Sequence, residues 1–352
     1  MPSAAPLEDL PPVVFGTSCL GNLYAEVPGE TKSAICRAWF DASGGRPVAL
    51  DSAGKYGAGL ALEVIGRELR AQGRSPREVI ISNKLGWLRT PLRGPEPTFE
   101  RGVWFGLEHD ATQSISYRGI LDCWEQGNAL LDGYTADLLS VHDPDEYLAG
   151  ASTERERAQR LDDIRGAYQA LFELKRSGRA TAIGIGAKDW RVIRELATEI
   201  AFDWVMLACS LTVYQHPPEL LEFLQELDRR AVVVINSAVF HAGFLTGGRY
   251  FDYRLPNRAS PTDAPLFAWR ERFLAVCQEW KVDPAAACVR FGFHAPAVRA
   301  VALNTSRPER VADNARLAQT DIPHDFWAAL QQAGLLSPGA PGPGRPTPPR
   351  AA

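Results

Sequence analysis

Cysteine is sparse and follows no pairing pattern. The six cysteines, at 19, 36, 123, 209, 277 and 288, form no C-x-x-C pair and no cluster with histidine at zinc-ligand spacing. Neither a disulfide framework nor a structural metal is expected from such spacing. Long apolar runs are also missing: stretches such as Ala231 to Ile235 are far too short to cross a bilayer. The opening MPSAAPLEDLPP has neither the basic patch nor the apolar core of a secretory signal. Charge of one sign is lacking as well, since 38 basic side chains against 42 acidic ones leave a net charge of −4 with no Lys/Arg block. That balance argues against nucleic acid or an anionic membrane as the main partner. The expectation is a cytoplasmic protein, monomer or homodimer, acting on a small molecule.

What is present is a repeated unit. With 45% hydrophobic residues the 352-residue chain is far too apolar to be disordered, and it carries short β-branched runs, each followed by a polar loop and a segment of helical spacing. Eight such runs are legible, at 13–18, 48–53, 79–84, 137–143, 181–186, 203–209, 231–237 and 300–306. Most are continuously apolar rather than alternating, as strands buried on both faces of a parallel sheet are. Between them, Leu62, Ile65 and Leu69 form one helical stripe. Ile164, Tyr168 and Leu171 before Gly178, then Val192, Ile193 and Leu196, then Leu220, Leu224 and Leu227 form others. Asp283-Pro284 reads as an N-cap followed by proline at the first helical position.

Eight strand-helix repeats close a (β/α)₈ TIM barrel, whereas a doubly wound sheet needs fewer strands and a glycine-rich first turn. No G-x-G-x-x-G follows any strand, so the α/β class expected is a single-domain barrel over 1–336. Two departures are read: an insertion at about 88–130, rich in Arg, Gly, Pro and aromatics, expected over the barrel mouth, and a Pro/Gly-rich tail, 337–352, expected to be disordered.

Chemistry in such a barrel belongs at the strand ends. Asp51, Lys84 and His142 end three consecutive strand runs, and Tyr56 follows Asp51 in the same loop. A tyrosine hydroxyl has a free pKa of about 10, but a neighbouring ammonium stabilises its anion and lets it exchange a proton with an alcohol or carbonyl. Lys84 supplies that charge, Asp51 keeps the lysine protonated, and a neutral His142 can orient the reacting oxygen. Taken singly, each has a bland reading as a loop carboxylate, a packing aromatic, a solvated lysine or a satisfied histidine. His109, His216, His241, His294 and His324 end no strand and read as surface or structural, and Cys209 as a small buried hydrophobe. Trp104 and Phe105 are candidates for the rim.

LDSAGKYG, NK at 83–84, VHD at 141–143 and SRPERVADN together resemble the aldo-keto reductases, (β/α)₈ oxidoreductases that bind NAD(P)(H) without a Rossmann fold. The resemblance covers about 13–320 and implies a catalytic tetrad of Asp51, Tyr56, Lys84 and His142. It also implies cofactor contacts at Gly16 and Thr17, at Ser237, Val239, Phe240 and Gly243, and at Asn304, Thr305, Arg310, Asp313 and Asn314. Where many relatives place Ser-Asn after the fifth strand this chain has Gly186-Ala187, so that contact does not carry over. Asn304 and the acidic Asp313 tilt the implied cofactor toward NAD, while Arg307 and Arg310 leave NADP open. CLGNLY, VHDPDEY and FHAGFLTGGRYFDYR resemble the branch of D-threo-aldose, L-fucose and L-galactose 1-dehydrogenases. That likeness implies oxidation of a free sugar, such as L-fucose, L-galactose or D-arabinose, at its C1 hydroxyl to the aldonolactone, with Trp87 and Asp143 reading the ring. The alternatives are another aldehyde or alcohol, as in a pyridoxal 4-dehydrogenase, or a non-catalytic cofactor-sensing subunit. An aldolase using Lys84 leaves Tyr56 unexplained.

Overall fold

The computed structural model describes residues 7, 9–252, 254–337 and 340, so the tail lies, except for Ser337 and Ala340, outside the described residues. All eight expected runs are parallel strands, and they close a barrel. In chain order the barrel strands are β1 (Val13–Gly16), β2 (Val48–Ala53), β3 (Val79–Leu85) and β6 (Leu138–His142). They continue with β7 (Ala182–Ala187), β8 (Trp204–Ala208), β9 (Val233–Ser237) and β10 (Val298–Leu303), and β10 pairs back onto β1. Between β3 and β6 in the chain, β4 (Trp87–Pro91) and β5 (His109–Gln113) form a separate antiparallel hairpin.

The reason for continuous rather than alternating apolar runs is visible in the packing. One face of every strand fills the barrel interior, where Val14, Ala49, Ile80, Leu138, Trp204 and Ile235 form one cluster. The other face, with Leu50, Ile81, Leu139, Ile183, Val205 and Val234, meets the surrounding helices. Those helices are α1 (Gly29–Ala42), α2 (Leu60–Ala71), α3 (Tyr117–Leu131), α5 (Glu154–Arg176), α6 (Trp190–Leu196) and α7 (Pro218–Arg229). After β9 come α8 (Ala264–Trp280) and α9 (Pro284–Gly292), and after β10 come α10 (Glu309–Leu317) and α11 (His324–Gln332); α4 (Pro144–Ala149) is a short turn after β6. Asp283 caps α9 through the Ala285 N–H at 2.8 Å, and Ser116, Thr153 and Asp189 cap α3, α5 and α6 in the same way.

The expected insertion at 88–130 divides in two. Residues 87–113 are the β4–β5 hairpin with its connection, whereas Tyr117–Leu131 is the ordinary crossover helix leading to β6. Glycines at 119 and 127 disguised that helix, but they serve close packing: a Cβ at Gly127 would lie 2.5 Å from the Asn83 amide, and one at Gly119 2.4 Å from the Ser114 carbonyl. The hairpin connection is stitched to the β1–α1 loop, with the Tyr24 N–H donating to Val103 O at 2.8 Å and the Phe105 N–H to Asn22 O at 3.2 Å. It therefore lies beside the end of the barrel where the strands finish.

The interior leaves no slack at Gly184 on β7, where a Cβ would meet the Trp204 carbonyl at 2.4 Å and its indole at 2.5 Å. Gly184→Ala should destabilise the protein by about 1–3 kcal/mol, as overpacking of a filled core does. A urea midpoint equal to that of the wild type would show that the layer is looser than this.

Candidate active site

Strand register brings the expected residues together. Asp51 on β2 pairs with Ser82 of β3, Ala53 pairs with Lys84, Lys84 pairs with Ser140 of β6, and His142 pairs with Gly186 of β7. Asp51, Lys84 and His142 thus end neighbouring strands at one mouth of the barrel. Tyr56 is delivered by the β2–α2 loop, whose backbone lies directly on the turn at 18–21. Gly57 has φ +60°, and a Cβ there would meet the Gly21 carbonyl at 2.4 Å, so the loop cannot approach this closely with any other residue.

The Lys84 ammonium donates to both Asp51 oxygens, at 2.7 and 2.6 Å, and to the Ser52 carbonyl at 3.3 Å. Both ions are almost fully buried. Burial alone would lower the Lys84 pKa, but the Asp51 carboxylate and the Tyr56 hydroxyl outweigh it and raise it. The same ammonium lies 4.7 Å from the centre of the Tyr56 ring. Burial raises the Tyr56 pKa, and Lys84 acts against that rise both as a charge and as a hydrogen-bond partner. The His142 ring meets the Tyr56 ring edge-on at 5.7 Å. Its pKa is held well below 6.5 by burial and by the ammonium groups of Lys84, Lys55 and Lys188, so it is neutral at neutral pH. Its Nδ1 is buried without a hydrogen-bond partner among the described residues.

Around this centre lies an ionic cluster that sequence reasoning missed. Lys55, next to Tyr56, is buried against Glu100 at 2.7 Å, Asp143 at 3.1 Å and Glu146 at 3.2 Å. Burial would lower the Lys55 pKa, but Asp143, Glu100 and Glu146 raise it instead. Lys188 bonds Glu146 in turn. A lysine beside a tyrosine looks like a solvated side chain in one dimension; only the fold shows three acids, two from the turn after β6 and one from the hairpin connection, converging on it.

The Asp51, Tyr56, Lys84 and His142 side chains open into a cleft of about 600 Å³. Tyr56, Lys84, His142 and Asp143 line one end, and Asn304, Thr305, Arg307 and Arg310 the other. Gly16, Thr17, Ser237, Val239, Phe240 and Gly243 also line it. Trp87, Asp313 and Asn314 do not. Trp87 packs on Phe99 and beside Lys55, and Asp313 turns to Arg316 on its own helix. Trp104 stands against Tyr56 with ring centres 6.0 Å apart, whereas Phe105 is exposed. Arg307 and Arg310 have no carboxylate partner among the described residues, which leaves two cations beside a helix start. Such an end accepts an anionic phosphate. The floor between the two ends is made of small residues, Gly186, Ala187, Ala208 and Ala238 among them, and a Cβ at Gly186 would meet the Lys84 chain at 2.8 Å. A flat ring can lie there. A long ligand with a planar head and a phosphorylated tail, which is the shape of a nicotinamide dinucleotide, fits this arrangement.

Residues 12–334 match the Aldo/keto reductase family. The chain is 30% identical over 334 residues to pyridoxal 4-dehydrogenase of Microbacterium luteolum, covering 92% of this chain and 94% of that one. It is 27% identical over 339 residues to D-threo-aldose 1-dehydrogenase of a Pseudomonas species, covering 93% and 95%. Among solved structures it resembles an aldo-keto reductase of Bacillus halodurans in its holo form, with TM-score 0.66, 18% identity and coverage of 93% and 92%. It also resembles the glycerol dehydrogenase of Gluconobacter oxydans, with TM-score 0.67, 18% identity and coverage of 95% and 94%.

The depressed His142 pKa has a consequence for stability. Below pH 6.5 the unfolded chain binds a proton at this position that the folded chain refuses, so stability falls as pH drops through and below 6.5 and is fully present above it. One such group contributes about 1 kcal/mol over the first pH unit below that value. His142→Asn should therefore lose less stability than the wild type on acidification. Parallel losses in urea titrations would show that His142 takes up its proton in the folded state.

Proposed function

The chain belongs to the aldo/keto reductase family, and from that premise we propose that it oxidises the hemiacetal carbon of a small cyclic hydroxy-aldehyde to a lactone, using NAD or NADP. The observation that carries this reading is the contact of the Tyr56 ring with both the Lys84 ammonium and the neutral His142, at one end of a cleft whose far end holds Arg307 and Arg310, which have no carboxylate partner among the described residues. When bound, the nicotinamide accepts the hydride from the substrate carbon. The protein's own part is the proton. Tyr56, as phenolate, takes the hydrogen of the hemiacetal hydroxyl; Lys84 stabilises that phenolate, and Asp51 keeps Lys84 charged. His142, held neutral, donates to the same substrate oxygen and fixes its direction. Ser237, Val239, Phe240 and Gly243 would cover the dinucleotide, Gly16 and Thr17 its nicotinamide end, and Asn304, Thr305 and Arg310 its adenosine end. Asp313, the acidic residue behind the expectation of NAD, is engaged by Arg316, so either dinucleotide suits the site.

A free aldose such as L-fucose, L-galactose or D-arabinose is the leading substrate. The mouth carries hydrogen-bonding groups of both signs rather than a single sign, with Lys55 and Lys188 set against Asp143, Glu146 and Glu100. A neutral polyol suits such a rim. The relative named for aldose C1 oxidation supports the choice. Pyridoxal is the second reading, favoured by the relative at 30% identity and by the stacked Tyr24–Tyr250 pair, 4.6 Å between centres, whose Tyr24 lines the cleft. The two substrates share one chemistry, because the pyridoxal aldehyde closes on its neighbouring hydroxymethyl group to give a cyclic hemiacetal.

Incubation with NAD or NADP and each of these compounds should produce reduced cofactor and a lactone product. Tyr56→Phe should lower turnover by at least about 10²-fold, the usual contribution of a positioned acid-base group, with cofactor affinity little changed. No reduced cofactor with any aldose or with pyridoxal, or full activity in Tyr56→Phe, would refute the proposal.

A further inference from the structure

Cys209, His241 and Asp252 lie on two loops at the same mouth of the barrel and take no part in the chemistry above. Cys209 follows β8, and the other two belong to the long connection from β9 to α8. All three are non-glycine residues in the left-handed region, with φ of 60°, 46° and 41°. A residue held there costs of order 1–3 kcal/mol and persists only where its surroundings fix it. Their side chains converge. The Cys209 thiol donates to Asp252 Oδ1 at 3.2 Å, and His241 Nδ1 lies 2.7 Å from Asp252 Oδ2. The three polar atoms fall within 4.8 Å of one another.

His241 is held rigidly for this purpose. It is fully buried, stacked on Phe251 at 4.7 Å with planes 1° apart, and met edge-on by Tyr214 at 5.7 Å. Its Nε2 is 2.9 Å from the Thr212 hydroxyl, so Nδ1 is the atom left facing the acid and the thiol. That hydroxyl can donate to Nε2 or accept from it, which lets the ring take either tautomer. A ligating histidine needs such a partner on its second nitrogen.

We propose that Cys209, His241 and Asp252 bind a divalent transition-metal ion of the zinc class, with a fourth coordination position open to the cleft. One thiolate, one imidazole and one carboxylate form a donor set suited to zinc, and their two negative charges balance the ion. Zinc–sulfur and zinc–nitrogen bonds of about 2.3 and 2.0–2.1 Å hold the two atoms no more than roughly 4.4 Å apart, so the side chains need only a small adjustment. The ion takes the place of two hydrogens. Burial and the Asp252 charge keep the free thiol protonated, and that proton leaves to solvent on binding. The Nδ1 hydrogen gives way to one on Nε2, which donates to Thr212. Cys209 and Asp252 line both the main cleft and an adjoining cavity of about 420 Å³, which keeps the fourth position accessible to water or to an oxygen ligand.

The test is titration of tag-free, chelator-treated full-length protein with Co²⁺, followed by absorbance. The other cysteines, Cys19, Cys36, Cys123, Cys277 and Cys288, are all buried, so a sulfur-to-cobalt charge-transfer band reports on Cys209. One Co²⁺ per chain is expected, with that band, visible bands of four-coordinate intensity, and displacement by Zn²⁺. Cys209→Ser should lose the charge-transfer band. Asp252→Asn should weaken Co²⁺ binding at least about tenfold, the lower limit seen even for loss of an outer partner. Absence of the band in saturated wild-type protein, which needs no variant to fold, would overturn the proposal. Its persistence in Cys209→Ser would do so as well. Neither readout depends on the substrate.

Discussion

The buried Lys84–Asp51 ion pair is the interaction on which the rest of the site depends. Two ions removed from water lose several kcal/mol of hydration each, and the loss is recovered only when each is close to the other and its remaining hydrogen-bonding capacity is met. Here the pair is in contact through both carboxylate oxygens, Ser82 donates to Asp51 at 3.2 Å, and the Ser52 carbonyl accepts from Lys84. Removal of either partner leaves an uncompensated charge inside the barrel, which typically costs 3–5 kcal/mol. The strand register that places Ala53 opposite Lys84 is what lets the ammonium reach back to Asp51, so a property of the sheet fixes the electrostatics of the loop above it. Tyr56 and His142 then take opposite consequences from one charge. The ammonium favours the phenolate of Tyr56 and, by the same sign, disfavours imidazolium at His142.

A second layer of ions surrounds this pair and shapes the mouth. Lys55, held by three carboxylates, stiffens the loop that carries Tyr56 and joins it to the turn after β6 and to the hairpin connection. The hairpin brings Phe99 and Trp104 against Tyr56 and so closes the cleft on one side. The opposite side is formed by the strained loops after β8 and β9. The barrel itself is common to many chemistries; what individualises this one is the set of contacts above its strand ends.

The fold was legible because both faces of each strand are buried, which writes the strands as continuous apolar runs. Asp51, Lys84 and His142 were legible for a related reason, since each closes such a run. Boundaries were less so. α3 was hidden inside the expected insertion by Gly119 and Gly127, which look like helix breakers in sequence but permit close approach to Ser114 and Asn83. Asn304 and Thr305 belong to the loop after β10, which starts at Val298, earlier than the run suggested. Lys55, Glu100 and Glu146 carried no signal, because a buried lysine and a solvated one are spelled alike. Cys209, His241 and Asp252 are separated along the chain, and only the packing of the loops after β8 and β9 makes them neighbours. Trp87 stood close to Lys84 in sequence, but the β4 strand turns it toward Phe99 and Lys55 rather than into the cleft.

The central claim is that the Lys84 charge governs the ionisation of Tyr56. It is tested most directly by labelling the tyrosines with ¹³C at Cζ and following their resonances with pH. The Tyr56 signal is identified by its disappearance in the phenylalanine variant. In Lys84→Met the Tyr56 midpoint should move to higher pH than in the wild type, since burial then acts unopposed on the phenolate. An unchanged or lower midpoint would contradict the account.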